Sequence, residues 1–137
     1  MEIAEFSFEN YIFSDIEIHI HNATDNLTLQ LHPQGYLNIE ENSYSLQLDF
    51  RALSEKPEPN NLLVYVRCIA KFKMSEEVNE INKIPNYFYA NSIAIVFPYI
   101  RAFVSTLTLQ SNTRPIILPT MNLTSLGNEL RQNTQIV

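Results

Sequence analysis

Between Glu80 and Glu129 the chain carries no carboxylate, and only Lys83, Arg101 and Arg114 bear charge there. Inside that stretch, residues 86–110 are apolar almost all round a helical wheel. The apolar side chains run from Tyr87 and Phe88 through Ile93, Ile95, Val96 and Phe97 to Phe103, Val104 and Leu107. A helix of this kind must be covered on more than one side. Pro85, Asn86, Asn91, Ser92 and Pro98 interrupt its uncharged part, whereas a bilayer span takes about 20 consecutive apolar residues. A core or interface helix is therefore expected, without direct membrane insertion.

The chain before this helix has a different period. Residues 14–21 place Ile16, Ile18 and Ile20 on one face and Asp15, Glu17, His19 and His21 on the other. That alternation predicts a strand with one buried and one wet face, starting further back around Phe6 and Phe8 with a bend. Residues 27–31 alternate again, and His32-Pro33-Gln34-Gly35 reads as a turn. Residues 43–53 set Tyr44, Leu46, Leu48 and Phe50 against Ser45, Gln47, Asp49 and Arg51. The segment 54–61, with two prolines and two asparagines, has hairpin-loop length.

Residues 62–73 make one continuous apolar face of Leu62, Val64, Val66, Cys68, Ala70 and Phe72. The opposite face, Leu63, Tyr65, Arg67, Ile69 and Lys71, is half apolar too. A strand greasy on both faces needs two covers, and in a small domain the second is often another subunit. Val64, Val66 and Cys68, with Phe97 and Tyr99 of the helix, are the expected oligomer contacts. Strands first and helices after predict an α+β fold.

Residues 111–121 form an extended, apolar loop bounded by Pro115 and Pro119, and Asn122 is placed to cap a second, shorter helix. The tail from Gly127 to Val137 is polar and is expected to fray. At 137 residues the chain suits one domain, with its core at about residues 6–130.

Charge and composition narrow the function. Nine carboxylates, Glu2, Glu5, Glu9, Asp15, Glu17, Asp25, Glu40, Glu41 and Asp49, precede the first base, Arg51; the net charge is −6. Such a first half repels nucleic acid and attracts a basic partner. It equally suits a solvated sheet face. Gly35 and Gly127 are the only glycines, so no glycine-rich phosphate loop can be built. His19 and His21 could begin a metal site if His32 or Glu17 converged on them, but two surface histidines fit the same spacing. Cys68 lies on the apolar face and reads as a packed thiol. No cofactor, metal or catalytic constellation is expected. One cysteine permits no intrachain disulfide, and the acidic, alternating start lacks the pattern of a secretory signal, so a cytoplasmic location is expected. The apolar loop and final helix could be core, subunit interface or a groove for apolar polypeptide.

The residues Phe97-Pro98-Tyr99-x-Arg101, then Ser105-x-Leu107, Pro115-Ile116-Ile117-Leu118-Pro119, Asn122-Leu123 and Leu126 resemble the C-terminal half of the SecB family of protein-export chaperones. Ser14-Asp15-Ile16 resembles the family's first strand. The resemblance implies a four-stranded antiparallel sheet with two helices packed on one face, and a homotetramer built as a dimer of dimers through strand and long-helix contacts. It implies a holdase without catalysis, which binds unfolded preproteins in apolar grooves and hands them to the SecA motor. The expected client groove is lined by Ile117, Leu118, Met121, Leu123 and Leu126, where Met121 adds an adaptable surface. The expected SecA-type acidic face is Asp15 and Glu17. The family's acidic residue on the third strand falls at Tyr65, and its second acid on the first strand falls at His19. Outlying relatives of the family chaperone antitoxins, which sets a dedicated-partner role beside export. An oligomeric adaptor domain without export role is the third possibility.

Overall fold

The computed structural model describes residues 5–137, so Glu2 lies outside the described residues. Strands β1 (Phe6–Ile18), β2 (Thr28–Asn38), β3 (Ser43–Leu53) and β4 (Leu62–Met74) precede helix α1 (Asn86–Gln110) and helix α2 (Leu123–Gln132). A last strand, β5 (Thr134–Ile136), closes the chain. The sheet order is β1-β4-β3-β2-β5. The first four strands pair antiparallel, and β5 adds to β2 in parallel. The sheet is therefore five-stranded and mixed, not four-stranded and antiparallel as expected.

One face of the sheet is dry. Tyr44, Leu46, Leu48 and Phe50 of β3 and Val64, Val66, Cys68, Ala70 and Phe72 of β4 are fully buried. They pack beneath the α1 stripe Phe88, Ile93, Val96, Ile100 and Val104, and Leu130 of α2 joins the same core. Rows at spacings of three, four and five along α1 keep this stripe facing the sheet. Its other sides carry Asn91, Ala94, Pro98, Arg101 and Ala102 in the open.

β1 keeps its apolar side chains on the dry face with two irregularities. Register shifts between Phe8 and Asn10 and between Phe13 and Asp15 each insert a residue. The set Phe6, Phe8, Tyr11, Phe13, Ile16 and Ile18 thereby stays opposite Met74, Phe72, Ala70, Cys68, Val66 and Val64. Ring contacts reach α1 from there: Phe13 stacks on Phe103 at 4.1 Å and Tyr11 lies 4.3 Å from Tyr99. A further shift between Ala52 and Leu53 buries Leu63 beside Val64, so Leu63 leaves the face that strict alternation gave it.

Three local expectations are corrected. His32-Pro33-Gln34-Gly35 is not a turn but the middle of β2. Pro33 is tolerated because its missing N–H falls on the outer edge of the ladder. Gly35 is needed for space, since a Cβ there would lie 1.7 Å from Tyr44 Oη. The tail is not frayed: Leu130 is fully buried, and Thr134 Oγ1 lies 2.7 Å from Tyr44 Oη. Gly127, where the expected tail begins, lies inside α2; it is buried where α2 crosses α1, and a Cβ would meet the Ala90 backbone at 3.0 Å. Finally, β1 stops at Ile18 and Ile20–Asn22 is a 3-10 turn, so His19 and His21 do not share a strand face.

Candidate functional site

α1 ends at Gln110, and the chain returns along the sheet in the extended segment 114–121. Thr108 ties the two together. Its buried hydroxyl donates to the Val104 carbonyl at 2.8 Å and accepts the Ile116 amide at 2.9 Å. From there the segment alternates as an extended chain must. Ile116 and Leu118 are buried, whereas Ile117 between them is 68% exposed. The amides of Ile117, Thr120 and Met121 have no hydrogen-bond partner among the described residues. Asn122 then caps α2, its Oδ1 accepting the Ser125 amide at 3.0 Å.

Of the expected groove residues, Ile117 is open, and Met121, Leu123 and Leu126 are partly buried against the core. Leu118 is 0% exposed and belongs to the core, which corrects its place on a groove wall. A single extended segment can turn only alternate side chains outward, so its neighbour Ile117 takes the open side.

Ile117, with Thr113, Arg114, Pro115 and Ile116, borders a cleft of about 220 Å3. Ala23, Thr24, Asp25, Leu27 and Leu29 form a second stretch of its wall, and Leu63 completes the lining. That wall is held by the β3–β4 loop. Asn26 Nδ2 donates to Glu55 Oε1 at 2.8 Å, the Glu55 amide donates to Thr24 Oγ1 at 3.2 Å, and Lys56 Nζ donates to the His21 carbonyl. Sequence alternation gave Leu27 and Leu29 as apolar but gave no sign of this wall, because its partner, Glu55, is 29 residues from Asn26.

The expected oligomer residues divide. Val64, Val66 and Cys68 are fully covered by α1 of the same chain and have no surface to offer a second subunit. Burial pushes the Cys68 thiol up to about 11, so it stays protonated and unreactive near neutral pH. Phe97 is half-buried, and Tyr99 is open beside Tyr11. The outer edge of β1 pairs with nothing among the described residues, and Ile12 and Ile16 on it are 57% and 48% exposed.

The wet face of the sheet holds the expected acids. Asp15 is opposite Arg67, and Glu17 is opposite Tyr65. Arg67 donates to Asp49 through Nε at 2.9 Å and Nη2 at 3.0 Å, and its Nη1 lies 3.7 Å from Asp15. The hydrogen bonds to Asp49 hold the guanidinium well above its usual range, against a smaller effect of burial. Arg51 lies over the Tyr65 ring at 4.6 Å. The acidity expected on this face is thus shared with two arginines. No cluster of three or more metal-ligating side chains occurs among the described residues.

An α+β sandwich with one wet sheet face, one long core helix and an apolar loop leading to a short second helix is the SecB-like fold. A SecB-like chaperone of Mycobacterium tuberculosis, solved in complex with a ChAD peptide from the HigA1 antitoxin, superposes with a TM-score of 0.69 at 14% identity. The match covers 86% of this chain and 88% of that one. In sequence, the chain is 27% identical over 136 residues to an uncharacterized protein of Methanocaldococcus jannaschii, spanning 87% of this chain and 80% of that protein. A protein of unknown function from Streptococcus agalactiae matches with a TM-score of 0.49 at 11% identity. No family model matches the chain.

Proposed function

We propose that this protein is an ATP-independent, cytoplasmic holdase that keeps one dedicated partner, of the antitoxin type, in an extended state. The observation that carries the reading is Ile117, 68% exposed on an extended segment whose neighbours Ile116 and Leu118 anchor it in the core. A lone exposed isoleucine is ordinary on a protein surface; what marks this one is its place beside an apolar cleft and further half-exposed apolar side chains, the kind of patch that a partner covers. The open amides beside it suit a partner that brings its own backbone. Met121, Leu123 and Leu126, each partly exposed, extend the apolar surface towards α2. The fold's likeness to a chaperone solved with an antitoxin peptide supports a dedicated client over a broad one. Burial at roughly 25 cal/mol per Å2 drives binding without chemistry, so neither cofactor nor catalytic group is required.

Delivery of preproteins to a SecA motor is the second reading, favoured by the exposure of Asp15 and Glu17 on the wet face. It is the weaker one, because Arg67 sits between Asp15 and Asp49 and offsets their attraction for a basic partner. Assembly into a homotetramer belongs to the proposal as well, resting on the unpaired β1 edge and on Tyr99 and Phe97 of α1. Several weak grooves on one particle would add avidity.

Light scattering from a denatured antitoxin, with a denatured preprotein alongside, each diluted into buffer, tests the holdase and its client range. Protein at one groove per client should suppress aggregation of the antitoxin without ATP, and the Ile117→Ser, Met121→Ser pair should abolish the effect. If the wild type leaves aggregation of both clients unchanged, the protein is an adaptor whose apolar surface serves assembly alone. Binding of SecA in the same preparation, lost on replacing Asp15 and Glu17 by Asn and Gln, would promote the export reading. Sedimentation of Ile16→Lys tests the tetramer; an unchanged particle would move the interface off β1.

A further inference from the structure

Two clefts open side by side where the start of α1 meets the end of α2. They hold about 240 and 430 Å3, and Asn86, Tyr89 and Arg131 line both, so they form one groove. Small-molecule sites take about 300–1,000 Å3. Helix α1 runs about 28 Å from Tyr89, in this groove, to Thr108, beside the apolar segment 114–121. No carboxylate lines either cleft, although the chain's net charge is −6.

The groove has the makings of an anion site. The Arg131 guanidinium pairs with no acid among the described residues, and the nearby Glu129 is instead 3.8 Å from His32. The amides of Asn86 and Tyr87 have no partner among the described residues, and no side chain caps them. They stand at the positive end of a 25-residue helix. Tyr89 points to a ligand independently. It is only 3% exposed, yet its hydroxyl makes no hydrogen bond among the described residues. Every fully buried polar side-chain atom described does have a partner. The hydroxyl is therefore the part of Tyr89 left uncovered, and the groove is what it faces. Burial raises the pKa of this phenol, and Arg131 is close enough to oppose the rise, so near neutral pH it is a protonated donor.

These donors suit a carboxylate better than a phosphate. A guanidinium fork meets a carboxylate in two parallel hydrogen bonds. One cation balances one negative charge, whereas a phosphate group carries more than one near neutral pH. Ile81 and Ile84 line the larger cleft and Ala90 the smaller, which gives a carbon chain an apolar wall that inorganic phosphate would leave unused.

We infer that this groove binds a short aliphatic acid, its carboxylate held by Arg131 and the Tyr89 hydroxyl and its carbon chain laid against Ile81 and Ile84. The site stands apart from the client-holding reading and does not depend on it. A bound acid bridges the start of α1 to the last turn of α2. That turn leads through Asn133 into β5, so occupancy braces the strand that closes the sheet. By linkage, a ligand that binds only the folded chain raises its stability.

The test titrates butyrate into the full chain, with affinity read by ligand-observed saturation-transfer NMR and stability by thermal melting. Butyrate should bind saturably and raise the melting temperature. Butyramide, which has the same shape without the charge, and inorganic phosphate should each bind at least about tenfold more weakly. Arg131→Gln should weaken butyrate about tenfold and remove the thermal shift. Tyr89→Phe, which keeps the buried ring, should weaken it about threefold with the unliganded melting temperature unchanged. If Arg131→Gln lowers stability by itself, Tyr89→Phe carries the test. Absence of saturable binding, equal binding of butyramide, equal binding of phosphate, or unchanged affinity in both variants would each overturn the site. A tripeptide Ser-Ala-Val with a free C-terminus, compared with its C-terminal amide, separates the two sources of a carboxylate. Weaker binding of both than of butyrate supports the free acid. Tighter binding of the free tripeptide alone would overturn that source and make the ligand a chain end.

Discussion

Gly35→Ala probes how the last strand is held. A Cβ at this position would stand 1.7 Å from Tyr44 Oη, 2.4 Å from Tyr44 Cζ and 2.8 Å from Thr134 Oγ1. The Tyr44 ring cannot swing away, since it is fully buried and packs edge-on against Phe88 at 4.8 Å. Relief must come by pushing Thr134 and β5 off the edge of β2, which breaks the 2.7 Å contact between the two hydroxyls. Overpacking a tight site costs about 1–3 kcal/mol, and the lost hydrogen bond adds about 1 kcal/mol. The lower chain entropy of alanine returns about 0.5–1 kcal/mol. The expected loss is about 2–3 kcal/mol. Urea unfolding at fixed protein concentration measures it, the fixed concentration removing any contribution from assembly. Amide exchange at 135–137 should lose its protection in the same variant. Tyr44→Phe, which removes only the hydroxyl, should cost about 1 kcal/mol and leave the strand paired. A Gly35→Ala loss below about 0.5 kcal/mol, with protection intact, would refute the claim that Tyr44 fills the space a side chain would need.

Further tests separate core from surface. Leu118→Ala should cost about 2–5 kcal/mol because the side chain is fully buried. Ile117→Ser should leave the melting temperature unchanged and lower client affinity in anisotropy titrations. Arg67→Met should destabilise by about 3 kcal/mol, since it leaves the nearly buried Asp49 without its partner. The double variant with Asp49→Asn should recover part of that loss in a thermal-melt cycle. The Cys68 thiol is raised from 9.0 to about 11, so its contribution to stability is complete below about pH 9 and falls as pH rises towards 11. Denaturant titrations should show this fall, and Cys68→Ala should lessen the slope. Iodoacetamide should not label native Cys68 near neutral pH; rapid labelling there would contradict its burial.

Some of the fold was written in local pattern. The span of α1, residues 86–110, followed from its apolar run, but the expected cover on more than one side did not, since the chain buries one stripe of the helix and leaves Asn91, Ala94, Pro98, Arg101 and Ala102 in the open. The faces of β3 followed from strict alternation, and the cap at Asn122 from one residue type at a helix start. The apolar loop at residues 111–121 was legible as a surface with an undecided fate. Which of its residues point out was not, because the answer depends on the Thr108 hydroxyl fixing Ile116 and so the phase of everything after it.

The remaining features were decided by long-range contacts. Pro33 and Gly35 look like a turn until Tyr44 is laid across the glycine and the proline is set on the sheet edge. The tail is polar enough to fray, yet Thr134 meets Tyr44 from 90 residues away and Leu130 fills the core. The two register shifts in β1 move residues between faces without leaving a mark in composition. The charge of the first half was countable from the sequence, but its balance on the wet face was not. Arg67 comes from a strand more than fifty residues later, and only the pairing of β1 with β4 brings it against Asp15. Local periodicity chooses the element, because it depends on near neighbours. Cover, register and charge pairing depend on which distant segment arrives, and only the packed sheet fixes that.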